Sequence, residues 1–70
     1  MNAILKFRVR KGITQEELAR NISVDRTTVT KWETGKSKPR VDVLLKLSVV
    51  FECTVDDLLR EEKTKNVKRN

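Results

Sequence analysis

Apolar residues recur along the chain at the three- and four-residue spacing of helices, in separate groups divided by turn signals. Ile4 and Phe7 predict a first helix over about residues 2–10, and Gly12 then ends it as a left-handed residue. Thr14 and Glu17 have the spacing of a capping box, in which each side chain bonds the other's backbone N–H. A second helix therefore begins here, and its inner side consists of Leu18, Ala19 and Ile22.

The remaining pattern predicts three more helices. After a short turn at Ser23 and Val24, Asp25 can accept a backbone N–H as the N-cap of a helix that runs to about Thr34, where Gly35 closes it. Residues 35–40 contain Gly and Pro and read as a loop. A dense apolar helix follows over residues 41–51, with an expected stripe of Val41, Leu44, Leu45, Ser48 and Phe51.

The last helix is predicted from residue 54 to about Glu62, with Thr54 and Asp57 at its start and an apolar side of Val55, Leu58 and Leu59. No segment alternates as a strand would, so the fold class is all-α, with five short helices in one domain over residues 1–62. Residues 63–70, KTKNVKRN, have no apolar period, and we expect a basic, disordered tail there.

The third predicted helix has an unusual outer side. Wound at 100° per residue, it places Val29 and Trp32 on one flank, where we expect core packing rather than base stacking by the tryptophan. Threonine is a poor helix former and is uncommon on a solvated helix surface. The opposite flank nevertheless consists of Arg26, Thr27, Thr30, Lys31 and Thr34. These residue types suit a surface that a partner covers.

Charge placement indicates what that partner is. The net charge is +6. Residues 1–11 hold four cations and no acid, and residues 24–40 hold five cations against two acids, whereas residues 41–62 hold six acids against two cations. Two basic segments on a small domain with an acidic far side favour a polyanion as partner.

Composition argues against other classes of function. The chain has no histidine and a single cysteine, Cys53, so an internal disulfide is impossible and we expect neither a metal site nor a cofactor. Cys53 is expected to be a small buried hydrophobe, with redox sensing as the weaker alternative. The sequence shows no acid–base pair of the kind that enzymes use, so we expect neither catalysis nor a small-molecule substrate. Without a signal peptide or a membrane-length apolar run, we expect a cytoplasmic protein.

Two short helices joined by a tight turn form a helix-turn-helix unit, whose second helix can enter the major groove of DNA. The unit needs a small residue where the helices cross, which Ala19 provides, and an apolar residue beneath the second helix, which Val29 provides. Arginine and lysine bind guanine, and threonine contacts thymine through its methyl or hydroxyl group. The outer flank of the third helix is therefore predicted to read base edges.

In order and spacing, residues 4–59 resemble the lambda-repressor-like DNA-binding domains of the Xre/Cro family of transcriptional regulators. The resemblance rests on Arg8 and on the segments KGITQEELA (11–19), TVTKWETG (28–35), Pro39, LLKL (44–47) and DDLL (56–59). It departs from the family pattern at Ser23 and Glu52, where glycine is usual, and at Arg40, where a capping Ser or Thr is usual. A positive φ at Ser23 would cost on the order of 1 kcal/mol.

The resemblance implies roles for individual residues. Gln15 resembles the glutamine that binds a DNA phosphate and braces the first recognition residue. Arg8 and Glu33 match a partly buried ion pair between the first and third helices. The positions that read bases match Arg26, Thr27 and Lys31, with Thr30 as a possible fourth. The positions that lie along the DNA backbone match Thr34, Lys36, Lys38 and Arg40.

One such domain reads few base pairs, so we expect a homodimer that binds a palindromic operator in double-stranded DNA, most simply as a repressor. Valines extend around the fourth helix beyond a single stripe, where they either fill the core or mark a pairing surface. The expected dimer contacts are Val49, Val50, Val55 and Leu59. The alternative is a protein-interaction adaptor or antitoxin-type module that uses the same fold.

Overall fold

A computed structural model describes residues 2–62 of the chain, with side chains described as far as Leu59. This range contains five α-helices and no strand: α1 (Ala3–Lys11), α2 (Gln15–Asn21), α3 (Arg26–Glu33), α4 (Val41–Phe51) and α5 (Val55–Glu62). The predicted all-α, five-helix architecture is confirmed. The basic segment 63–70 lies outside the described residues.

The hydrophobic core draws on every helix. The largest fully buried side chains, one from each helix, are Ile4, Leu18, Val29, Leu47 and Leu58. Trp32 is also buried, at 4% exposure, and packs in the same cluster. Because each helix contributes one such residue, no helix can leave the bundle without exposing core surface.

The helix ends follow the chemistry that the sequence predicts. Gly12 adopts φ 79° and donates its N–H to the carbonyls of Arg8 and Val9, closing α1. Thr14 and Glu17 form the reciprocal capping box that opens α2. At the start of α5, Thr54 and Asp57 exchange the same pair of bonds, at 2.9 and 3.1 Å.

Asn2 was not singled out from the sequence, although an asparagine before an apolar helix is a recognised N-cap signal. Its Oδ1 accepts from the N–H groups of Ile4 and Leu5, and its Nδ2 donates to the carbonyl of Trp32 at 2.6 Å. One side chain therefore caps α1 and ties it to the end of α3.

Two local predictions were wrong. Asp25 occupies the N-cap position of α3, but its side chain makes no capping bond; its backbone carbonyl instead accepts from the N–H groups of Thr28 and Val29. In α4 the buried face is rotated relative to the stripe expected from the sequence, as the exposures of Leu45 (55%) and Val41 (72%) show. The core side of α4 consists of Leu44, Leu47 and Phe51, at the 3–4 spacing of a single helical face.

The turn between α2 and α3 is tight. The N–H of Val24 donates to the carbonyl of Ala19 at 2.9 Å, and Ala19 itself is buried at 3% exposure. Ser23 makes this turn with φ 62°, and Glu52 ends α4 with φ 56°. Both residues therefore occupy the left-handed region, which disfavours side chains that carry a Cβ.

We expect Glu52→Gly to stabilise the fold by roughly 1 kcal/mol, because the relief of left-handed strain exceeds glycine's greater entropy in the unfolded chain. The ion pair with Lys11 that is lost spans 3.6 Å at the surface and contributes little. The midpoint of thermal unfolding should rise by about 7 °C. Gly12→Ala, at φ 79°, is the matched control and should destabilise. An unchanged or lower midpoint for Glu52→Gly would contradict the strain argument.

Candidate nucleic-acid interface

The outer side of α3 projects into solvent. Arg26, Thr27 and Lys31 are exposed, whereas Val29 and Trp32 on the inner side are buried at 0% and 4% exposure. We call the set Arg26, Thr27, Thr30 and Lys31 the recognition flank. Its direction is defined by the core packing of the same helix, so these side chains are presented by a rigid element rather than by a loop.

Arg8 and Glu33 lie in contact between α1 and the end of α3. Arg8 Nε donates to Glu33 Oε2 at 2.6 Å and Nη2 donates to Oε1 at 3.3 Å. The side chains are only 15% and 4% exposed, respectively. The third guanidinium nitrogen of Arg8, Nη1, donates to the carbonyl of Ile13 at 2.8 Å. The guanidinium thus connects α3 to the segment that precedes α2.

Gln15 extends this arrangement to the recognition flank. Its Nε2 donates to Glu33 Oε1 at 2.8 Å, and its Oε1 accepts from the Thr30 hydroxyl at 3.1 Å. The same hydroxyl lies 3.2 Å from the carbonyl of Arg26, which is an alternative acceptor. The chain of contacts Arg8–Glu33–Gln15–Thr30 is called the bracing network below. It leaves one amide hydrogen of Gln15 without a bond partner among the described residues.

An open cleft lies beside the bracing network. It is bounded by residues 12–16 on one side and by Arg26 on the other, and Gln15 forms part of its wall. Gln15, Glu16 and Arg26 thus line one open space next to the start of α3, which brings an amide, an acid and a cation together.

The loop that follows α3 folds back on the end of that helix. Gly35 takes φ 83°, and the N–H groups of Lys36 and Ser37 both donate to the carbonyl of Lys31, at 2.8 and 3.3 Å. The Thr34 hydroxyl donates to the carbonyl of Thr30 at 2.9 Å. Lys36, Lys38 and Arg40 are exposed, and Arg40 is the N-cap residue of α4 without a side-chain capping bond. Three exposed cations, which form no side-chain bond or ion pair with another described residue, thus continue from the recognition flank.

The four residues expected at a dimer contact differ in exposure. Val49 and Leu59 are 76% and 39% exposed, whereas Val50 and Val55 are partly buried and pack against the core. Two of the four, Val49 and Leu59, are therefore exposed to a partner, Val49 much more than Leu59.

Cys53 packs against the core and is partly buried. Burial raises the pKa of its thiol above the ordinary value, and the nearby Asp57 carboxylate raises it further. Because the thiolate is the reactive form, this environment disfavours redox chemistry at Cys53.

Among the side chains that the structure describes, as far as Leu59, no group of three or more potential ligands is arranged to hold a metal ion. The described helices are all too short or too polar to cross a membrane.

Comparison with known proteins is consistent with this geometry. The family profile described as helix-turn-helix matches residues 4–58. The HTH-type transcriptional activator BcrR of Enterococcus faecalis is 42% identical over 57 residues, which are 81% of this chain and 28% of BcrR, so the chain spans little more than a quarter of that relative. An uncharacterized HTH-type transcriptional regulator of Archaeoglobus fulgidus is 40% identical over 55 residues, which are 79% of each chain.

A putative multi-protein-binding factor 1 of Yarrowia lipolytica is 42% identical over 49 residues, covering 70% of this chain and 32% of that protein. No solved structure matches the chain significantly.

We expect Arg8→Met to destabilise the fold by about 3 kcal/mol, because the Glu33 carboxylate would stay buried without its counter-ion. Urea unfolding measures the loss. The double variant Arg8→Met, Glu33→Met should lose less than the sum of the two single variants. Arg20→Met is the matched control, since its pair with Glu16 spans 3.9 Å at about 70% exposure and should contribute under about 0.5 kcal/mol. Equal losses for Arg8→Met and Arg20→Met would refute the bracing role.

Proposed function

Because the chain belongs to the Xre-like helix-turn-helix family of transcriptional regulators, we propose that it binds a specific sequence of double-stranded DNA with α3 in the major groove. The observation that carries the proposal is the exposed recognition flank on a helix whose other side is core. A helix about 10–12 Å in diameter fits the major groove, which is about 12 Å wide.

Arg26, Thr27 and Lys31 are assigned to base edges. They lie at the start and middle of α3, are exposed, and form no ion pair with another described residue. Arginine and lysine donors match the acceptors of guanine, and a threonine methyl or hydroxyl group suits thymine and its neighbours. Readout by these three side chains distinguishes sequences, whereas phosphate contacts only position the protein.

DNA phosphates are assigned to the two sides of the recognition flank. On one side, Gln15 lines the open cleft, and its second amide hydrogen has no bond partner among the described residues, so a phosphate oxygen there would accept from this amide. On the other side, the loop and its borders supply Thr34, Lys36, Lys38 and Arg40. Contacts on both sides would hold α3 at a defined depth and angle in the groove.

Thr30 is better suited to positioning than to reading bases. Its hydroxyl is partly buried and lies within bonding distance of Gln15 Oε1 and of the carbonyl of Arg26. When it donates to Oε1, it fixes which end of the Gln15 amide faces Glu33 and therefore where the second amide hydrogen points. We assign Thr30 to the orientation of Gln15, in place of the fourth base contact expected from the sequence.

The biological unit that we propose is a homodimer on a palindromic operator. A two-fold axis places two recognition helices in successive major grooves, about 34 Å apart, and doubles the number of bases read. Binding across a promoter blocks polymerase without any additional activity, which supports repression as the outcome. BcrR is named an activator, so operator position relative to the promoter is the variable that determines the sign of regulation. We place this activity in the cytoplasm and assign the domain no catalytic role or cofactor.

A protein-interaction adaptor is the second candidate. The Yarrowia relative is named as a multi-protein-binding factor, and α4 carries exposed apolar side chains that a partner could cover. A stoichiometric protein partner combined with the absence of any DNA footprint would favour this function over DNA recognition.

Selection of bound duplexes from a random pool tests the primary proposal. We expect a defined, palindromic consensus that survives competitor DNA. Thr27→Ala should alter the preferred base at one position of each half-site, by about 1–3 kcal/mol of discrimination. Lys38→Ala should weaken all sequences alike and reduce the slope of log K against log salt by about 1. Equal losses on every sequence for both variants would refute the assignment of Thr27.

Replacing Thr30 distinguishes its two roles. Thr30→Val keeps the shape but removes the hydroxyl, and should weaken binding to all sequences about fivefold, the equivalent of one net hydrogen bond. Thr30→Ser keeps the hydroxyl and should bind as the wild type does. Thermal unfolding provides the folding control. A change in base preference at one position, without a general loss of affinity, would instead identify Thr30 as a base-reading residue.

A further inference from the structure

Three large apolar side chains on α4 face solvent in a continuous line. Val41, Leu45 and Val49 are each one helical turn apart and are 72%, 55% and 76% exposed. We call these three residues the α4 stripe. At 100° per residue it lies roughly 130° around the helix from the core side formed by Leu44, Leu47 and Phe51. The α4 stripe is therefore a second apolar face of α4, additional to the one that stabilises the bundle.

Two opposite charges border the α4 stripe on the same flank. Asp42 and Lys46 are one turn apart, and both are exposed. Neither forms an ion pair with any residue from 2 to 59. The negative residue lies near the start of α4 and the positive residue near its middle, so the flank has a direction.

We propose that the α4 stripe binds the α4 stripe of a second copy, with the two helices antiparallel and the two-fold axis at Leu45. The proposal rests on the proposed homodimer and specifies the surface that forms it. In this arrangement Leu45 packs against the partner's Leu45, and Val41 packs against the partner's Val49. Measured along the helix axes, Asp42 then lies about 3 Å from the partner's Lys46. The two-fold axis generates the second pair, Lys46 with the partner's Asp42.

Charge complementarity favours a second copy in this orientation. An antiparallel pair opposes Asp42 to Lys46 twice, because residues on the same flank of both helices meet on the same side of the interface. In a parallel two-fold pair the flank of Asp42 and Lys46 would lie on the opposite side of the interface from the partner's same flank, so the two residues would face the other flank, near Leu44 and Ser48, and would form no charge pair. The flank is thus complementary to itself only when the helices run in opposite directions.

The size of the α4 stripe predicts a weak dimer in solution. Stable interfaces bury about 800 Å² on each partner, and three aliphatic side chains with two charged neighbours supply less. Two copies held on adjacent half-sites experience a high effective concentration, so modest pairing appears there as cooperative binding. Of the four residues expected from the sequence, this surface retains Val49; Val50 and Val55 pack against the core.

Charge reversal with mixing tests the proposal. Asp42→Lys alone and Lys46→Asp alone each place like charges together twice, so we expect self-association to weaken about tenfold or more, as measured by sedimentation equilibrium. An equimolar mixture of the two variants forms attractive pairs at both positions, and should associate about as well as the wild type. Restoration by mixing cannot arise from misfolding of either variant. A mixture that stays as monomeric as its components would overturn the proposal.

DNA binding separates this inference from the proposed function. Leu45→Glu places two acids on the axis and should abolish cooperativity on the selected palindromic duplex, while affinity for a single half-site is unchanged. Val9→Glu is the matched control, because Val9 is 60% exposed on α1 and outside the α4 stripe, and should leave cooperativity intact. Equal cooperativity in Leu45→Glu and wild type would overturn the α4 interface while leaving DNA recognition in place. A wild type that binds no DNA, yet whose charge-reversed variants associate on mixing, would refute the proposed function and support the interface.

Discussion

The burial of Glu33 is the constraint on which the arrangement of the first three helices depends. A carboxylate at 4% exposure is tolerated only if its charge is matched and its oxygens are bonded. Arg8 from α1 supplies the charge, and Gln15 from α2 supplies a further hydrogen bond. The end of α3 is therefore held simultaneously by two other helices, and moving any of the three leaves a polar group unsatisfied. The direction of the recognition flank follows from this connection together with the core contacts of Val29 and Trp32.

The sequence predicted best those features that depend on neighbouring residues in the chain. The capping box at Thr14 and the closure of α1 at Gly12 both follow from local backbone chemistry. The positive φ at Ser23 was raised only as a condition, by the resemblance to a family that usually has glycine at that position. The rotation of α4 was not predictable in the same way, because apolar residues occur around most of that helix. Periodicity then permits more than one buried face, and packing against α1 and α5 selects Leu47 over Leu45.

The candidate site likewise contains residues that helical periodicity could predict and contacts that it could not. The identity and exposure of Arg26, Thr27 and Lys31 could be predicted, because a helix with Val29 and Trp32 inside must turn these residues outward. The partners of Gln15 could not be predicted from periodicity, since Thr30 and Glu33 lie 15 and 18 positions away in the chain. A hydrogen bond over such a separation depends on how two helices cross, and the crossing depends on the small side chain of Ala19 and on the strained turn at Ser23.

The outward residues of the recognition flank and the inward residues that hold α3 in place have separate tasks, and this separation explains why α3 can carry poor helix formers on its outer side. An isolated helix of eight residues is unstable in water, so the persistence of α3 comes from its inner face and from its bracing at Glu33 rather than from threonine. Residues of the recognition flank that make no internal contact are then free to be chosen for what they bind. Under the proposed function, substitutions there would alter DNA recognition at little cost to folding, whereas substitutions in the bracing network would alter both. Under the proposed function, this separation of the two tasks onto opposite sides of one short helix would let a small domain change its DNA target while it keeps its fold.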